Sequence, residues 1–94
     1  MEKNISNNKR KELKKRAYAL KPIIMIGHNG LTNAVINEID IALNAHELIK
    51  VRAKGSDKDE RTKYCLKIKE KLNADIIQRI GFITVLYRSA PEAS

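Results

Sequence analysis

Apolar residues recur three and four positions apart along three stretches of the chain, which is the spacing of an amphipathic helix. In the first stretch Leu13, Ala17 and Leu20 form one stripe. Pro22 should end this helix, because the residue before a proline avoids the α region. Thr32 is a suitable N-cap for the second helix. The patterns predict helices over residues 9–20, about 32–45 and about 57–72.

The third helix has its own start signal. Asp57 followed three residues later by Glu60 predicts a capping box, in which each side chain accepts a hydrogen bond from the other residue's backbone N–H. Ile41 lies off the apolar stripe of the second helix and is expected to be exposed. The stripes of the second and third helices comprise Val35, Ile36, Ile39, Ala42 and Leu43, and Cys65, Ile68 and Leu72.

Four shorter runs have the pattern of strands. Residues 23–26 are apolar at every position, which predicts a strand covered on both faces. Residues 48–53 alternate apolar and basic side chains, which predicts a strand with one wet, positive face. Residues 75–80 and 82–88 are joined at Gly81 and predict a hairpin.

The element order α-β-α-β-α-β-β predicts an α/β fold in which a mixed four-stranded sheet packs with three helices. Helical crossovers favour parallel pairing, the hairpin is antiparallel, and the order of the strands stays open. The 94 residues suffice for one domain. We expect a flexible polar N-terminus over 1–8, the domain over 9–88 and a short polar tail over 89–94.

Positive charge is concentrated near the N-terminus. Residues 1–21 hold eight of the 19 basic residues and two of the 11 acidic ones, a net charge of +6 against +2 for the rest. Such a block favours an anionic partner, either nucleic acid or an acidic membrane surface. A solvated lysine-rich face with no partner is the alternative.

Other functions find little support in the sequence. Cys65 is a single cysteine, which precludes an internal disulfide and fits a reducing cytosol. No apolar run is long enough to span a membrane and no signal peptide is evident, so we expect a cytoplasmic protein. His28 and His46 lack metal-ligand spacing, and no catalytic set of side chains can be assembled. We therefore expect neither an enzyme nor a metal or cofactor.

The tetrapeptide Gly27-His28-Asn29-Gly30 lies between the first predicted strand and the second helix. Glycines allow a sharp turn and a close approach of another surface, and a helix N-terminus favours anions. The stretch has neither the Lys-Ser or Lys-Thr pair of a Walker loop nor the three glycines of a dinucleotide fingerprint. A G-x-x-G loop clamps nucleic-acid backbone in KH domains. A plain strand-to-helix turn is the competing interpretation.

Basic residues of the first helix lie on one arc beside its apolar stripe, which suggests contacts with phosphates. Tyr18 projects among them and could stack on a base or pack on lysine stems. Lys50 and Arg52 would extend the surface if their strand face is open, and Arg88 is a weaker candidate. The arc comprises Arg10, Lys11, Lys14, Lys15 and Lys21.

Four short blocks resemble the CRM domain, a family named for chloroplast RNA splicing and ribosome maturation. They are Leu20-Lys21-Pro22, Gly30-Leu31-Thr32, Glu47-Leu48-Ile49-Lys50-Val51 and Val85-Leu86-Tyr87-Arg88. The chain is most similar to the stand-alone bacterial form, the YhbY-like proteins. The resemblance implies an RNA-binding domain with a fold like the C-terminal domain of a bacterial translation initiation factor. It also implies association with large-subunit ribosomal precursors, with residues 27–30 as the RNA-contacting loop.

The sequence thus predicts a non-catalytic, cytoplasmic RNA-binding protein that assists assembly of the large ribosomal subunit, with a monomer favoured and the oligomeric state left open. Two alternatives stay open. One is a ribosome-associated protein-interaction module that docks through Ile41 and Ala34, and the other is a small basic DNA-binding protein. A membrane-surface role is the weakest interpretation, because the apolar stripe of the basic helix is thin and has no interfacial Trp or Phe.

Overall fold

A computed structural model describes residues 5–89 of the chain. The elements follow the predicted order, with three helices and one four-stranded sheet in the described part. They are α1 (Asn7–Tyr18), β1 (Ile24–Met25), α2 (Asn33–His46), β2 (Leu48–Arg52), α3 (Lys58–Leu72), β3 (Asp75–Ile80) and β4 (Ile83–Tyr87). The predicted α/β class and the mixed sheet are confirmed.

The strands lie in the order β1-β2-β4-β3. β1 is parallel to β2, with Ile24 opposite Val51, and α2 forms the crossover between them. β4 is antiparallel to both of its neighbours. The hairpin strand β4 therefore lies between β2 and β3, which settles the order that the sequence left open.

The helices cover the two faces of the sheet unequally. On one face α2 and α3 pack over the larger core cluster, which includes Ile39, Leu43, Ile49 and Leu86. In the part of the chain that the structure describes, α1 is the one helix that packs on the other face. It buries Leu13 and Ala17 against Leu48, Ile77 and Val85, and we call these five residues the α1-side cluster.

The predicted helix starts and ends are confirmed for α2 and α3. The side chain of Thr32 accepts a hydrogen bond from the backbone N–H of Val35 at 3.2 Å. Asp57 and Glu60 form the capping box, with bonds of 2.8 and 3.0 Å. Ile41 is exposed, as expected for a residue off the stripe.

Helix α1 lies two residues earlier than predicted, over Asn7–Tyr18 instead of 9–20. Ser6 caps its start by accepting a hydrogen bond from the N–H of Lys9, and Ile5 packs on the α1-side cluster. Residues 5–8 are thus part of the folded unit and not of the flexible segment expected over 1–8. Residues 1–4 of that segment and residues 90–94 of the expected tail lie outside the described part.

The prediction that residues 23–26 form a strand covered on both faces was wrong. β1 has two residues and lies at the edge of the sheet. Ile23 and Met25 are half exposed, because α1 packs on β2 and β3 and does not cover this edge. Only Ile24 and Ile26, which point to the opposite face, are buried.

Candidate nucleic-acid interface

Helix α1 covers only part of its side of the sheet. Side chains of a strand alternate between faces, so Lys50 and Arg52 lie on the same face as Leu48, which packs under α1. Met25 and Ile83 lie opposite Arg52 on the neighbouring strands. We call this uncovered region the open sheet face. It comprises Met25, Lys50, Arg52, Gln78, Ile80 and Ile83.

A groove separates α1 from the open sheet face. Its volume is about 570 Å³, and we call it the α1–sheet groove. Its lining joins four of the residues that the sequence predicted for binding, Lys14, Lys15, Tyr18 and Lys50, to Ala17, Gln78 and Ile80. The predicted positive strand face is therefore open and meets the basic helix.

Lys50 also connects the helix to the sheet. Its ammonium group donates a hydrogen bond to the backbone carbonyl of Leu20 at 3.0 Å, just beyond the end of α1. A cation at this position stabilises the negative end of the helix dipole. Lys50 thus both fixes the end of α1 and adds positive charge to the groove.

The loop of residues 27–30 adjoins the open sheet face. The N–H of Ile26 donates to the carbonyl of Arg52 at 2.7 Å, so the loop leaves the sheet beside Arg52. The N–H of Gly30 then donates to the carbonyl of Gly27 at 3.0 Å and closes a turn. Gly30 has a φ of 75°, in the left-handed region that favours glycine.

Helix α2 begins directly after this turn. Its first backbone N–H groups, at Asn33 and Ala34, have no acceptor within the helix, and the helix dipole adds partial positive charge there. The loop and the helix start together favour an anion.

A second cavity, of about 360 Å³, lies beside the loop. It joins Gly27 and His28 to Lys54 of the turn after β2 and to Tyr64 of α3. Lys54 was not among the residues predicted for binding from the sequence. Its signal was available, because β1 and β2 were expected to be parallel and the segments that follow adjacent parallel strands lie at the same edge of a sheet.

The α1–sheet groove is not lined by Arg10, Lys11 or Lys21, although all three were predicted to bind. The guanidinium group of Arg10 donates to the carbonyls of Ile76 and Ile77 at 3.1 and 3.2 Å, so it holds α1 to β3. Lys21 lies past the end of α1 and lines a different groove with Arg16 and His46. The predicted single arc was therefore wrong, because the helix ends before Lys21 and Arg10 turns to the sheet edge. Lys11 and Asn29 are exposed.

Arg88 has a structural role. It forms a salt bridge with Asp40 at 2.9 Å and donates to the carbonyls of Asp40 and Leu72 and to the side chain of Asn44. These contacts join the end of β4 to α2 and α3, which explains an arginine at this position without RNA.

The described residues contain no group of three or more His, Cys, Asp or Glu side chains placed to hold a metal ion. Cys65 is buried, with its Sγ 3.9 Å from Oγ1 of Thr84. Within residues 5–89, none of the helices is both long and apolar enough to cross a membrane.

The fold and this surface define a class of protein: a small α/β domain in which a G-x-x-G loop adjoins a basic, partly uncovered sheet face. The sequence profile of the CRS1 / YhbY (CRM) domain matches residues 5–88. The chain therefore belongs to the CRS1 / YhbY (CRM) domain family, as its four short blocks predicted.

Several relatives are stand-alone members of similar length. A Haemophilus influenzae protein named "RNA-binding protein" is 43% identical over 89 residues, which are 95% of this chain and 90% of that protein. A Pseudomonas aeruginosa protein named "Probable RNA-binding protein" is 33% identical, over 94% of this chain and 85% of its own length. The solution structure of a Staphylococcus aureus protein, described as a hypothetical protein and a candidate RNA-binding protein, matches with a TM-score of 0.80. It is 27% identical and covers 97% of this chain and 95% of its own.

Proposed function

We propose that this protein is a non-catalytic, cytoplasmic RNA-binding protein that binds ribosomal RNA in precursors of the large subunit and assists their assembly. The family and the names of the relatives support the RNA-binding part. The ribosomal part rests on the CRM resemblance.

The observation that carries the proposal is the grouping of cations around one open surface. Lys14, Lys15 and Lys50 line the α1–sheet groove, and Arg52 lies between that groove and the loop of residues 27–30. A lysine-rich face that served only solubility would need neither an uncovered sheet nor an adjoining glycine turn. Phosphates arranged along one strand of RNA match such a row of positive charges.

Recognition would depend mainly on the shape of the RNA. The major groove of double-helical RNA is too deep and narrow for side chains to read. The loop would hold the backbone through its N–H groups and the start of α2, while the lysines neutralise neighbouring phosphates. Such a surface suits a junction, a loop or a groove edge better than a defined sequence within a helix.

A protein-interaction module is the second candidate, because Ile41 is 59% exposed on the outer side of α2. Ala34, two turns earlier on the same helix, is exposed too. In that case the protein would stay on ribosomal particles after its basic surface is neutralised. Equal affinity for duplex DNA and structured RNA would instead favour a general DNA-binding protein.

The test is crosslinking and sequencing of RNA bound in cells to the wild type and to a variant with His28→Asp and Asn29→Asp. These changes add negative charge at exposed loop positions. We expect wild-type crosslinks to concentrate on large-subunit precursor RNA and the variant to lose them. A control with Asn37→Asp and Leu66→Asp adds the same charge at exposed positions of α2 and α3 and should keep them.

Two results would contradict the proposal. Wild-type crosslinks spread over many RNAs would contradict the ribosomal target. A loop variant that keeps every crosslink would show that the loop of residues 27–30 is only a turn and does not contact RNA. Circular dichroism of the purified variants must first show that both are folded.

A further inference from the structure

The α1–sheet groove exposes an aromatic ring that does nothing for the core. Tyr18 is 90% exposed, on the last turn of α1. Ile80, on the sheet side of the same groove, is 59% exposed, and the buried Ala17 lies between the two elements. The groove thus has apolar walls that folding leaves in contact with water.

A β-bulge brings an amide side chain into this groove. In the pairing of β3 with β4, Ile76 lies opposite Leu86 and Gln78 lies opposite Val85, so Ile77 is an extra residue. Val85 belongs to the α1-side cluster, and its partner Gln78 therefore shares that face. Without the bulge, alternation along the strand would place Gln78 on the side of α3. Bulges often redirect a side chain next to a functional site.

Arg10 stabilises this arrangement, because it donates to the carbonyls of Ile76 and Ile77, which belong to the peptide groups on either side of the extra residue Ile77. The position of Gln78 is thus fixed by α1 itself. The same helix supplies Tyr18 on the other side of the groove.

The groove combines three kinds of chemistry. Tyr18 offers a ring on which another ring can stack. The amide of Gln78 offers an acceptor and two donors, which match the edge of a nucleic-acid base. The ammonium groups of Lys14, Lys15 and Lys50 complement phosphates. An unpaired nucleotide uses all three at once, since it has a planar ring, a hydrogen-bonding edge and an anionic backbone.

We propose that the α1–sheet groove binds the base of one unpaired nucleotide of an RNA, stacked on Tyr18 and hydrogen-bonded to Gln78. This inference rests on the proposed RNA binding and gives it a partner of defined chemistry. The loop of residues 27–30 holds the RNA backbone, whereas the groove needs a base that is neither paired nor stacked within an RNA helix. The protein therefore prefers RNA loops and bulges to continuous duplex, and Gln78 gives it a preference among bases.

The experiment measures dissociation constants for fluorescently labelled RNA hairpins that share one stem and carry a loop of roughly eight adenosines, cytidines or uridines. A blunt duplex of the stem sequence is the fourth probe. The proteins are the wild type, Tyr18→Ala, Tyr18→Phe and Gln78→Leu. Leu66→Ala, which truncates an exposed apolar side chain on α3, is the control.

We expect Tyr18→Ala to weaken binding of the hairpin loops by about five- to a hundredfold while duplex binding changes less than about twofold. Tyr18→Phe and Leu66→Ala should bind as the wild type does. Gln78→Leu should reduce the differences in affinity among the three loops.

If the Tyr18 and Gln78 variants bind every hairpin as the wild type does, the groove does not hold a base, although RNA binding stands. An equal loss for hairpins and duplex in Tyr18→Ala would also overturn the inference, because it would indicate a backbone contact. If the wild type binds none of the four probes, the proposed function fails as well.

Discussion

At the scale of single residues, the two glycines of the 27–30 loop have different reasons to be glycine. Gly30 has a positive φ, and a Cβ there would lie 3.3 Å from the hydroxyl oxygen of Tyr64. Gly27 does not have a positive φ, and a Cβ there would meet nothing within 4 Å. The fold therefore explains Gly30, whereas nothing in the fold requires glycine at position 27, which leaves room there for the RNA backbone of the proposed function.

This difference predicts opposite effects of two alanines. Gly30→Ala should lower the free energy of unfolding by about 1–2 kcal/mol, because a left-handed residue with a Cβ is strained. Gly27→Ala should leave it unchanged or raise it by up to about 1 kcal/mol, because the unfolded chain loses freedom. Urea denaturation measures both. RNA affinity should fall for Gly27→Ala, and an unchanged affinity would mean that no RNA surface approaches this residue.

Arg10 is expected to matter for stability more than for binding. Arg10→Ala removes a charged donor from two backbone carbonyls at the bulge and should lower the free energy of unfolding by about 1.5–3 kcal/mol. Lys11→Ala, at the exposed neighbouring position, should change it by less than about 0.5 kcal/mol. Thermal or urea unfolding compares the two. Equal stability would contradict the role of Arg10 in joining α1 to β3.

At the scale of elements, α1 combines two roles in one helix. Its inner side packs Leu13 and Ala17 on the sheet, and its adjoining flank lines the α1–sheet groove with Lys14, Lys15 and Tyr18. The α1–sheet groove therefore exists only while α1 is docked. This follows from the single layer on this face, since no other helix within residues 5–89 covers the α1-side cluster.

Leu13→Ala should lower the free energy of unfolding by about 2–5 kcal/mol, because Leu13 is fully buried and truncation leaves a cavity. Leu20→Ala is the matched control. The sequence placed Leu20 in the same stripe, but it lies beyond α1 and is 37% exposed, so the loss should stay below about 1 kcal/mol. Urea unfolding of both variants gives the comparison. Equal losses of unfolding free energy would mean that Leu20 packs in the core with Leu13, as the sequence predicted.

At the scale of the whole molecule, net charge alone does not explain binding, since charges on the far side of the sheet contribute little through screening solvent. If roughly six to eight phosphates are neutralised, the logarithm of the RNA binding constant should fall with that of salt concentration with a slope of about −4 to −7. Titrations with labelled RNA at several salt concentrations measure this slope. A binding constant that does not depend on salt would contradict the proposed phosphate contacts.

Placement of charge is tested by two variants with the same net charge. Lys14→Glu with Lys15→Glu changes the α1–sheet groove, and Lys63→Glu with Lys69→Glu changes exposed positions of α3 on the other face. The first pair should reduce both the affinity and the magnitude of the salt slope, because local phosphate contacts are lost. The second pair should keep most of both. Equal losses of affinity in the two double variants would indicate that RNA is attracted by the net charge and not by cations placed at the α1–sheet groove.

Much of this fold follows from local sequence. Thr32 and the pair Asp57 and Glu60 begin their helices as predicted, because a cap is decided by side chains within three residues of it. The alternation of apolar and basic residues over 48–53 correctly predicted the positive face of β2, because alternation is also a property of neighbouring residues. The burial of residues 23–26 was predicted wrongly, because a run of four apolar residues occurs both in edge strands and in central strands and does not distinguish them.

The sequence by itself determined the helices, the strands, the family and the concentration of cations near α1, because periodicity, capping and short motifs are properties of neighbouring residues. The tertiary structure decided which of these cations lie together. Docking of α1 turned Arg10 to the edge of β3, placed Lys14 and Lys15 beside Lys50, and left part of one sheet face uncovered. The bulge that brings Gln78 into the groove depends on the pairing of β3 with β4. These features arise from contacts between residues far apart in the chain, which no local pattern records.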